Sequence, residues 1–131
     1  MQKCKFTIWT TADGQTSVLE REGEMSLARE EIRLRYREEN AFVELSVQGE
    51  SAQIAREGDY SLRLNLKRGE KLDGALGFGD GQGKIETFAR KIEYSVSRDS
   101  LLLRLEYDLL FGEEKQEMKL RLISRYSQEG L

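Results

Sequence analysis

The sequence predicts an all-β protein, a single antiparallel and mostly up-and-down β-barrel of about 8–10 strands. Three observations lead to this prediction. Apolar and polar residues alternate with a period of two through most of the chain, as strands with one buried face require. Turn signals recur at intervals of roughly 8–12 residues. Each strand shows a single apolar face, and closing the sheet removes its exposed edges, so a barrel is favoured over a sandwich.

A C-terminal hairpin, residues 101–126, shows the alternation most clearly. A turn centred on Glu113-Glu114 would bring apolar residues together on one face and opposite charges together on the other. Slipping the strands by one residue would mix the two faces. The predicted pairs are Leu109–Met118, Tyr107–Leu120, Leu105–Leu122, Leu101–Tyr126, Asp108–Lys119 and Glu106–Arg121.

The other strands follow in order along the chain. Asp13-Gly14 is a strong hairpin signal between the first two strands. A change of parity predicts a bulge near Arg90. A further short strand is predicted at residues 72–78. The residues that share one face in the other predicted strands are Cys4, Phe6, Ile8; Val18 or Leu19; Val43, Leu45, Val47; Ala52, Ile54, Arg56; Tyr60, Leu62, Leu64, Leu66; Ile85, Thr87, Ala89; and Ile92, Tyr94, Val96.

Residues 25–40 are ambiguous from pattern alone. Their Leu, Ala, Arg and Glu content is typical of a helix. The alternative is two strands with a turn at Arg29-Glu30, because Ile32, Leu34 and Tyr36 alternate with arginines. Because packing can override helical propensity, the alternation slightly favours two strands over a helix.

Composition restricts the function. Net charge is −3, from 21 basic and 24 acidic residues that are interspersed, which argues against general nucleic-acid binding. No apolar run approaches the roughly 18 residues of a membrane span, and the N-terminus does not resemble a secretory signal. The single cysteine, Cys4, excludes an internal disulfide and fits a reducing compartment. We therefore expect one cytoplasmic domain, residues 1–131, with no membrane partner.

The chain has no histidine, which excludes a Ser-His-Asp triad, a Cys-His pair and a zinc cluster. An enzyme would depend on carboxylates, lysine or tyrosine for its acid and base, so we lean towards no enzymatic activity. The glycine-rich stretch 78–83 lacks the lysine and helix of a phosphate-binding loop, and a hairpin connection is the favoured interpretation. No cofactor and no metal are expected.

The order of several short motifs resembles the YwiB-like family, bacterial β-barrels assigned to the calycin (lipocalin-like) architecture. The resemblance spans residues 8–126. It is carried by Gly23, Ile32-x-Leu34-x-Tyr36-x-Glu38, Ile54-x-Arg56-x-Gly58, Gly81, Thr87 and Ile92. It implies a calycin-like barrel and two strands in residues 25–40, and it implies no function.

The chain departs from the family pattern in three places. Asp80 stands where the family commonly has an aromatic residue, and Ala89 stands where it has a second threonine. The loop after Glu38 is shorter here and lacks the usual glycine and threonines. A function that depends on that loop or that turn is therefore not carried over.

Two charged residues should point into the barrel near strand ends. Period two places Arg56 on the face of Ile54 and places Glu38 on the face of Tyr36. A salt bridge that closes one mouth of the barrel is the first interpretation, since buried charges are normally paired. The second is an arginine that anchors an anion at the mouth of a ligand cavity. The ligand-binding candidates are Arg56, Glu38, Tyr36 and Thr87.

Two outer features have alternative interpretations. Arg33, Arg35 and Arg37 form a basic stripe that is expected to be solvated opposite acidic neighbours rather than to dock a partner. Trp9 is expected to plug one end of the core, with an exposed interaction anchor as the alternative.

Three function classes remain. The first is a non-enzymatic module that binds a small amphipathic or anionic ligand inside the barrel. The second is a filled barrel that acts as a structural or protein-interaction module. The third is a hydrolase or isomerase that uses Glu38 and Tyr36. The volume of the barrel interior discriminates between the first two.

Overall fold

The computed structural model is a closed barrel of ten antiparallel strands. It describes residues 2–28, 30–79 and 81–126. Each strand pairs with its neighbours in sequence, and the first pairs with the last, so the predicted up-and-down barrel is confirmed. The strands are β1 (Gln2–Ala12), β2 (Gln15–Ala28), β3 (Glu31–Glu38), β4 (Ala41–Gln48), β5 (Ser51–Gly58), β6 (Tyr60–Lys67), β7 (Lys71–Phe78), β8 (Gly81–Val96), β9 (Ser100–Phe111) and β10 (Glu114–Tyr126).

The ambiguous segment is a pair of strands. Met25 and Leu34 face each other across β2 and β3 and are both buried. Ile32 and Tyr36 are buried on the same face of β3. Burial of this face overrides the helical propensity of the segment, as the alternation predicted. Glu30 lies in the turn, whereas Arg29 lies outside the described residues.

The β1–β2 hairpin closes as predicted. Asp13 and Gly14 have φ angles of 48° and 84°, which are the two positive values of a type I′ turn. The glycine-rich stretch is also a hairpin connection, because Phe78 pairs with Gly81. Asp80 itself lies outside the described residues.

The predicted register of the β9–β10 hairpin is wrong by two residues. Leu105 faces Leu120 rather than Leu122, and Leu103 faces Leu122. The turn is centred one residue earlier, on Gly112-Glu113, because Gly112 takes a φ of 60° at the first central position, which an L-residue disfavours. A shift of two residues keeps every side chain on its predicted face, so the core was identified while its cross-strand partners were not.

The observed register also gives this hairpin different charge pairs. The predicted pairs Asp108–Lys119 and Glu106–Arg121 do not form. Instead Lys119 faces Glu106, whereas Asp108 faces Glu117 and Arg121 faces Arg104. Two like-charge pairs therefore lie directly across the ladder, an arrangement that is destabilising unless other groups compensate. The predicted pair Leu101–Tyr126 is also replaced, because Leu101 faces Ser124.

The predicted bulge in β8 compensates one of these pairs. The register with β9 shifts between Ala89 and Lys91, so Arg90 is the extra residue. Its guanidinium forms an ion pair and hydrogen bond with Asp108, which is only 8% exposed. Arg90 thereby neutralises Asp108 beside Glu117.

The core fills the barrel interior as one contiguous cluster. Two aromatic rings of this cluster, Phe6 and Tyr36, pack edge to face with their centroids 6.0 Å apart. Gly23 leaves room for the Phe6 ring, because a side chain at this position would clash with it. The buried cluster is Cys4, Phe6, Ile8, Met25, Ile32, Leu34, Tyr36, Val43, Leu45, Val47, Ala52, Ile54, Leu64, Leu66, Ile85, Ala89, Ile92, Leu101, Leu103, Leu105, Tyr107, Leu109, Leu122 and Tyr126.

Candidate functional site

The rim at one end of the barrel holds the predicted charged pair. This end carries the turns β1–β2, β3–β4 and β5–β6, so the last residues of β3 and β5 meet there. Glu38 ends β3, and Arg56 lies two residues before the end of β5. The Arg56 Nε atom is 3.7 Å from Glu38 Oε2, so the structure brings the two residues together.

Arg56 has three further partners. Its Nη2 donates to Asp59 Oδ1 at 2.9 Å, and its Nη1 donates to the Tyr60 carbonyl oxygen at 2.9 Å. The guanidinium carbon lies 3.7 Å from the centroid of the Tyr60 ring, within cation–π range. The side chain is 14% exposed. These contacts fit the interpretation of Arg56 as part of a salt bridge that closes this mouth of the barrel.

Sequence reasoning missed Asp59. The sequence places it in the tight turn between β5 and β6, but an aspartate in a turn is common and does not by itself indicate a site. Only the fold shows that Asp59 lies beside Arg56. The hydrogen bond from Arg56 lowers the pKa of the Asp59 carboxyl below its usual value. Asp59 is therefore a stronger partner for Arg56 than Glu38, whose oxygen is farther away.

A surface depression of about 360 Å³ lies beside this cluster. Two arginines and three carboxylates line it, so its formal charge is negative and does not favour an anionic ligand. The lining residues are Leu19, Arg21, Glu38, Glu39, Asn40, Arg56 and Asp59.

Tyr36 lies in the same inward row as Arg56, separated from it by Val43 of β4. It is 7% exposed and packs on Phe6. Burial raises the pKa of its phenol well above the usual value, because the phenolate would lose its hydration. A tyrosine in this position is a poor general base at neutral pH.

Thr87 lies on β8, away from the rim cluster. It is completely buried, and its Oγ1 donates to the Asn65 carbonyl oxygen at 2.5 Å. On β6, only Tyr60 to Arg63 pair with β7, and Asn65 follows this paired segment. The Thr87 hydroxyl thus gives this carbonyl a partner where the two strands separate. The four candidates therefore comprise a rim pair and two buried side chains.

Two outer features were also located. In the β3 stripe, Arg33 Nε lies 2.7 Å from Oε1 of Glu31 on the same strand. Arg35 Nε lies 3.0 Å from Oε2 of Glu44, which faces it on β4 as expected for a stripe opposite acidic neighbours. The prediction that Trp9 plugs the core is wrong. Phe6 and Ile8 occupy the inner face of β1, so period two places Trp9 outside, where it is half-buried.

A second groove, of about 840 Å³, lies at the opposite end of the barrel. Its basic and acidic residues are equal in number. No sequence motif indicates this groove, because its lining residues come from separate strands. The lining residues are Lys3, Cys4, Lys5, Glu22, Gly23, Glu24, Asp99, Ser100, Arg125 and Tyr126.

Within residues 2–28, 30–79 and 81–126, no cluster of three or more potential metal ligands is present. The same residues contain no helix long and apolar enough to cross a bilayer.

Comparisons with known proteins agree with this fold. A family model described as "Domain of unknown function (DUF1934)" matches residues 3–122. The crystal structure of the ywiB protein from Bacillus subtilis superposes with a TM-score of 0.82, at 14% identity, covering 97% of this chain and 93% of that chain. No curated protein matches the chain. A closed up-and-down barrel is consistent with the calycin architecture that the resemblance implied. The chain belongs to the DUF1934 family and is a YwiB-like β-barrel.

Proposed function

We propose that this chain is a non-enzymatic filled barrel that acts as a structural or protein-interaction module through its outer face. The observation that carries the proposal is the packing of the interior. Large apolar side chains from opposite walls of the barrel are fully buried in one cluster, among them Phe6, Leu34, Leu64, Leu103 and Leu122. A lipid-sized ligand would have to displace this core, at a cost comparable to that of removing several buried side chains.

The rim cluster supports the same proposal. Arg56 is held by two carboxylates, a carbonyl oxygen and an aromatic ring, so it has little free hydrogen-bonding capacity for a ligand. The hydrolase or isomerase alternative is not favoured, because Tyr36 is buried and Glu38 is paired with Arg56. A cytoplasmic location remains part of the proposal, supported by the single, buried and free cysteine.

Binding of a small amphipathic or anionic molecule is the second candidate, and for it we propose the rim rather than the interior. The depression beside Arg56 is the observation in its favour. Its size suits a small molecule, whereas its carboxylates oppose an anion.

Native mass spectrometry of freshly purified protein tests the proposal. We expect the bare chain of 15.1 kDa, and we expect the chain in a gently prepared cell extract to elute from gel filtration in a larger complex. A co-purified small molecule, together with elution at the size of the bare chain, would overturn the proposal. Loss of that molecule in Arg56→Leu, but not in the exposed control Arg63→Leu, would assign it to the rim.

A further inference from the structure

Two adjacent arginines on the outer face lack carboxylate partners. Arg104 of β9 and Arg121 of β10 lie directly opposite each other and are both exposed. Among the described residues, no carboxylate lies within ion-pair distance of either side chain. This differs from the β3 stripe, where Arg33 and Arg35 each have an acidic partner. The fold thus keeps a repulsive cross-strand pair, and among the described residues no carboxylate forms an ion pair with either arginine.

Apolar side chains surround this pair. In the same row across the sheet, Arg121 faces Trp9, and Trp9 faces Val18. The Arg121 guanidinium carbon lies 5.1 Å from the centroid of the Trp9 ring, and Val18 is 58% exposed. In the next row, Ile123 faces Leu102, and both are half-buried. We call these six residues the tryptophan patch: Trp9, Val18, Leu102, Arg104, Arg121 and Ile123.

The charges around the tryptophan patch balance each other, so the two arginines give it a net positive charge. Glu93 faces Arg104 on β8 but does not form an ion pair with it among the described residues. The flanking residues comprise four acidic and four basic side chains, namely Glu20, Glu22, Glu93, Glu106, Lys5, Lys91, Lys119 and Arg125.

We propose that the tryptophan patch binds an acidic segment of a partner protein that carries apolar side chains among its carboxylates. This inference rests on the proposed function and identifies the surface and the chemistry of the partner. The row from Val18 to Arg104 crosses four strands, or roughly 14 Å, which matches about four extended residues of a peptide. Arginines beside an aromatic residue are typical of interface centres. The net charge of the chain, −3, disfavours a long polyanion such as nucleic acid.

The patch contains its own spectroscopic reporter, because Trp9 is the only tryptophan of the chain. The full chain is titrated with a synthetic twelve-residue peptide in which Glu and Asp alternate with Leu. We expect a saturable change in tryptophan emission, protection from acrylamide quenching, and an affinity that falls with added salt. Arg104→Glu combined with Arg121→Glu should lower the affinity by at least about fivefold.

The matched control makes the same change of charge elsewhere. Arg33→Glu combined with Arg35→Glu alters the neutralised β3 stripe and should leave the affinity within about twofold. Thermal melts confirm that both variants are folded. Equal binding of a peptide with Lys in place of Glu and Asp would overturn the proposal, and so would equal losses in the two variants. Tighter binding of an oligodeoxythymidylate of equal charge would assign the patch to nucleic acid instead.

The two proposals fail in different ways. If the chain elutes in a large complex but the acidic peptide does not bind, the tryptophan patch is the wrong surface and the proposed function stands. If the chain elutes alone with a small molecule bound, the proposed function itself is overturned.

Discussion

Gly23 shows how one residue organises the packing inside the barrel. A Cβ atom built at this position would lie 2.1 Å from the Arg35 carbonyl oxygen and 2.5 Å from Cε2 of Phe6. The backbone oxygen cannot move away without disturbing the β2–β3 ladder. The requirement is therefore steric, and it explains why glycine stands in the middle of a strand, where it is normally unfavourable.

The first prediction follows from this close approach. Gly23→Ala should lower the free energy of unfolding by at least about 2 kcal/mol, because the added methyl group overpacks the site. Urea denaturation measures the change. Gly83→Ala is the matched control, since a Cβ there would meet only the Leu76 carbonyl oxygen at 3.9 Å. Equal effects of the two substitutions would contradict the steric explanation.

The second prediction concerns Arg56. Arg56→Leu should lower the free energy of unfolding by about 1–3 kcal/mol, because it removes hydrogen bonds to a carboxylate and a carbonyl group. It should also raise the pKa of Asp59 towards its ordinary value, because the hydrogen bond from Arg56 is what lowers it. The sign is that of a carboxyl with a depressed pKa, so its contribution to stability is present at neutral pH and lost under acid conditions.

NMR titration of the Asp59 carboxyl measures this shift, and the exposed Arg63→Leu is the control. An unchanged Asp59 pKa in Arg56→Leu would show that the hydrogen bond is absent in solution.

Part of the candidate site could be predicted from individual residues. Period two sufficed to place Arg56 and Glu38 on the inward faces of their strands, because parity depends only on chain neighbours, and the turn signals after them placed both near strand ends. The roles of Asp59 and of the Tyr60 carbonyl could not be predicted, because they depend on how the β5–β6 turn folds back over Arg56.

At the scale of elements, the β8 bulge is the feature with the clearest consequence. It turns Arg90 towards Asp108, whose carboxyl lies between Arg90 and the facing Glu117. The hydrogen bond with Asp108 raises the pKa of the Arg90 guanidinium, which remains charged. The extra residue thus supplies a cation where the β9–β10 register places two carboxylates together.

The third prediction tests this compensation. Arg90→Met should lower the free energy of unfolding by about 1–3 kcal/mol, because it leaves the buried Asp108 acceptor without its partner. Adding Asp108→Asn should recover part of the loss, because it removes the repulsion from Glu117. Chemical denaturation of the single and double variants measures both changes. A double variant less stable than Arg90→Met by the full effect of Asp108→Asn alone would show that the residues are not coupled.

At the scale of the whole molecule, the filled interior makes stability sensitive to alkaline pH. Burial raises the pKa of Tyr107 to about 12, and burial also raises that of Tyr36. The unfolded chain loses these protons near pH 10, whereas the folded chain retains them to higher pH. The contribution of each buried tyrosine is therefore complete below pH 10 and is lost as the pH rises towards the folded pKa.

The fourth prediction concerns the fall in the free energy of unfolding at alkaline pH. Between pH 10 and 12 the free energy of unfolding should fall by up to about 1.4 kcal/mol per pH unit for Tyr107. Tyr107→Phe should remove that part of the slope. Tyr94→Phe is the control, because Tyr94 is 41% exposed. Urea midpoints measured across this range give the slopes, and identical slopes in wild type and Tyr107→Phe would show that the Tyr107 phenol is hydrated in the folded protein.

The sequence by itself determined most of the strands, the side of most strands that faces the core, and where β8 bulges, whereas residues 25–40 stayed open between a helix and two strands. These properties follow from period two, which is local because it depends on residues adjacent in the chain. Only the tertiary structure decided the β9–β10 register, since a slip of two residues preserves every face and the conformation of Gly112 selects between the alternatives. It also decided that Arg104 and Arg121 lie directly opposite each other, because cross-strand partners depend on that register. The filling of the interior was decided at the same level, because it depends on the distance between opposite walls of the closed barrel.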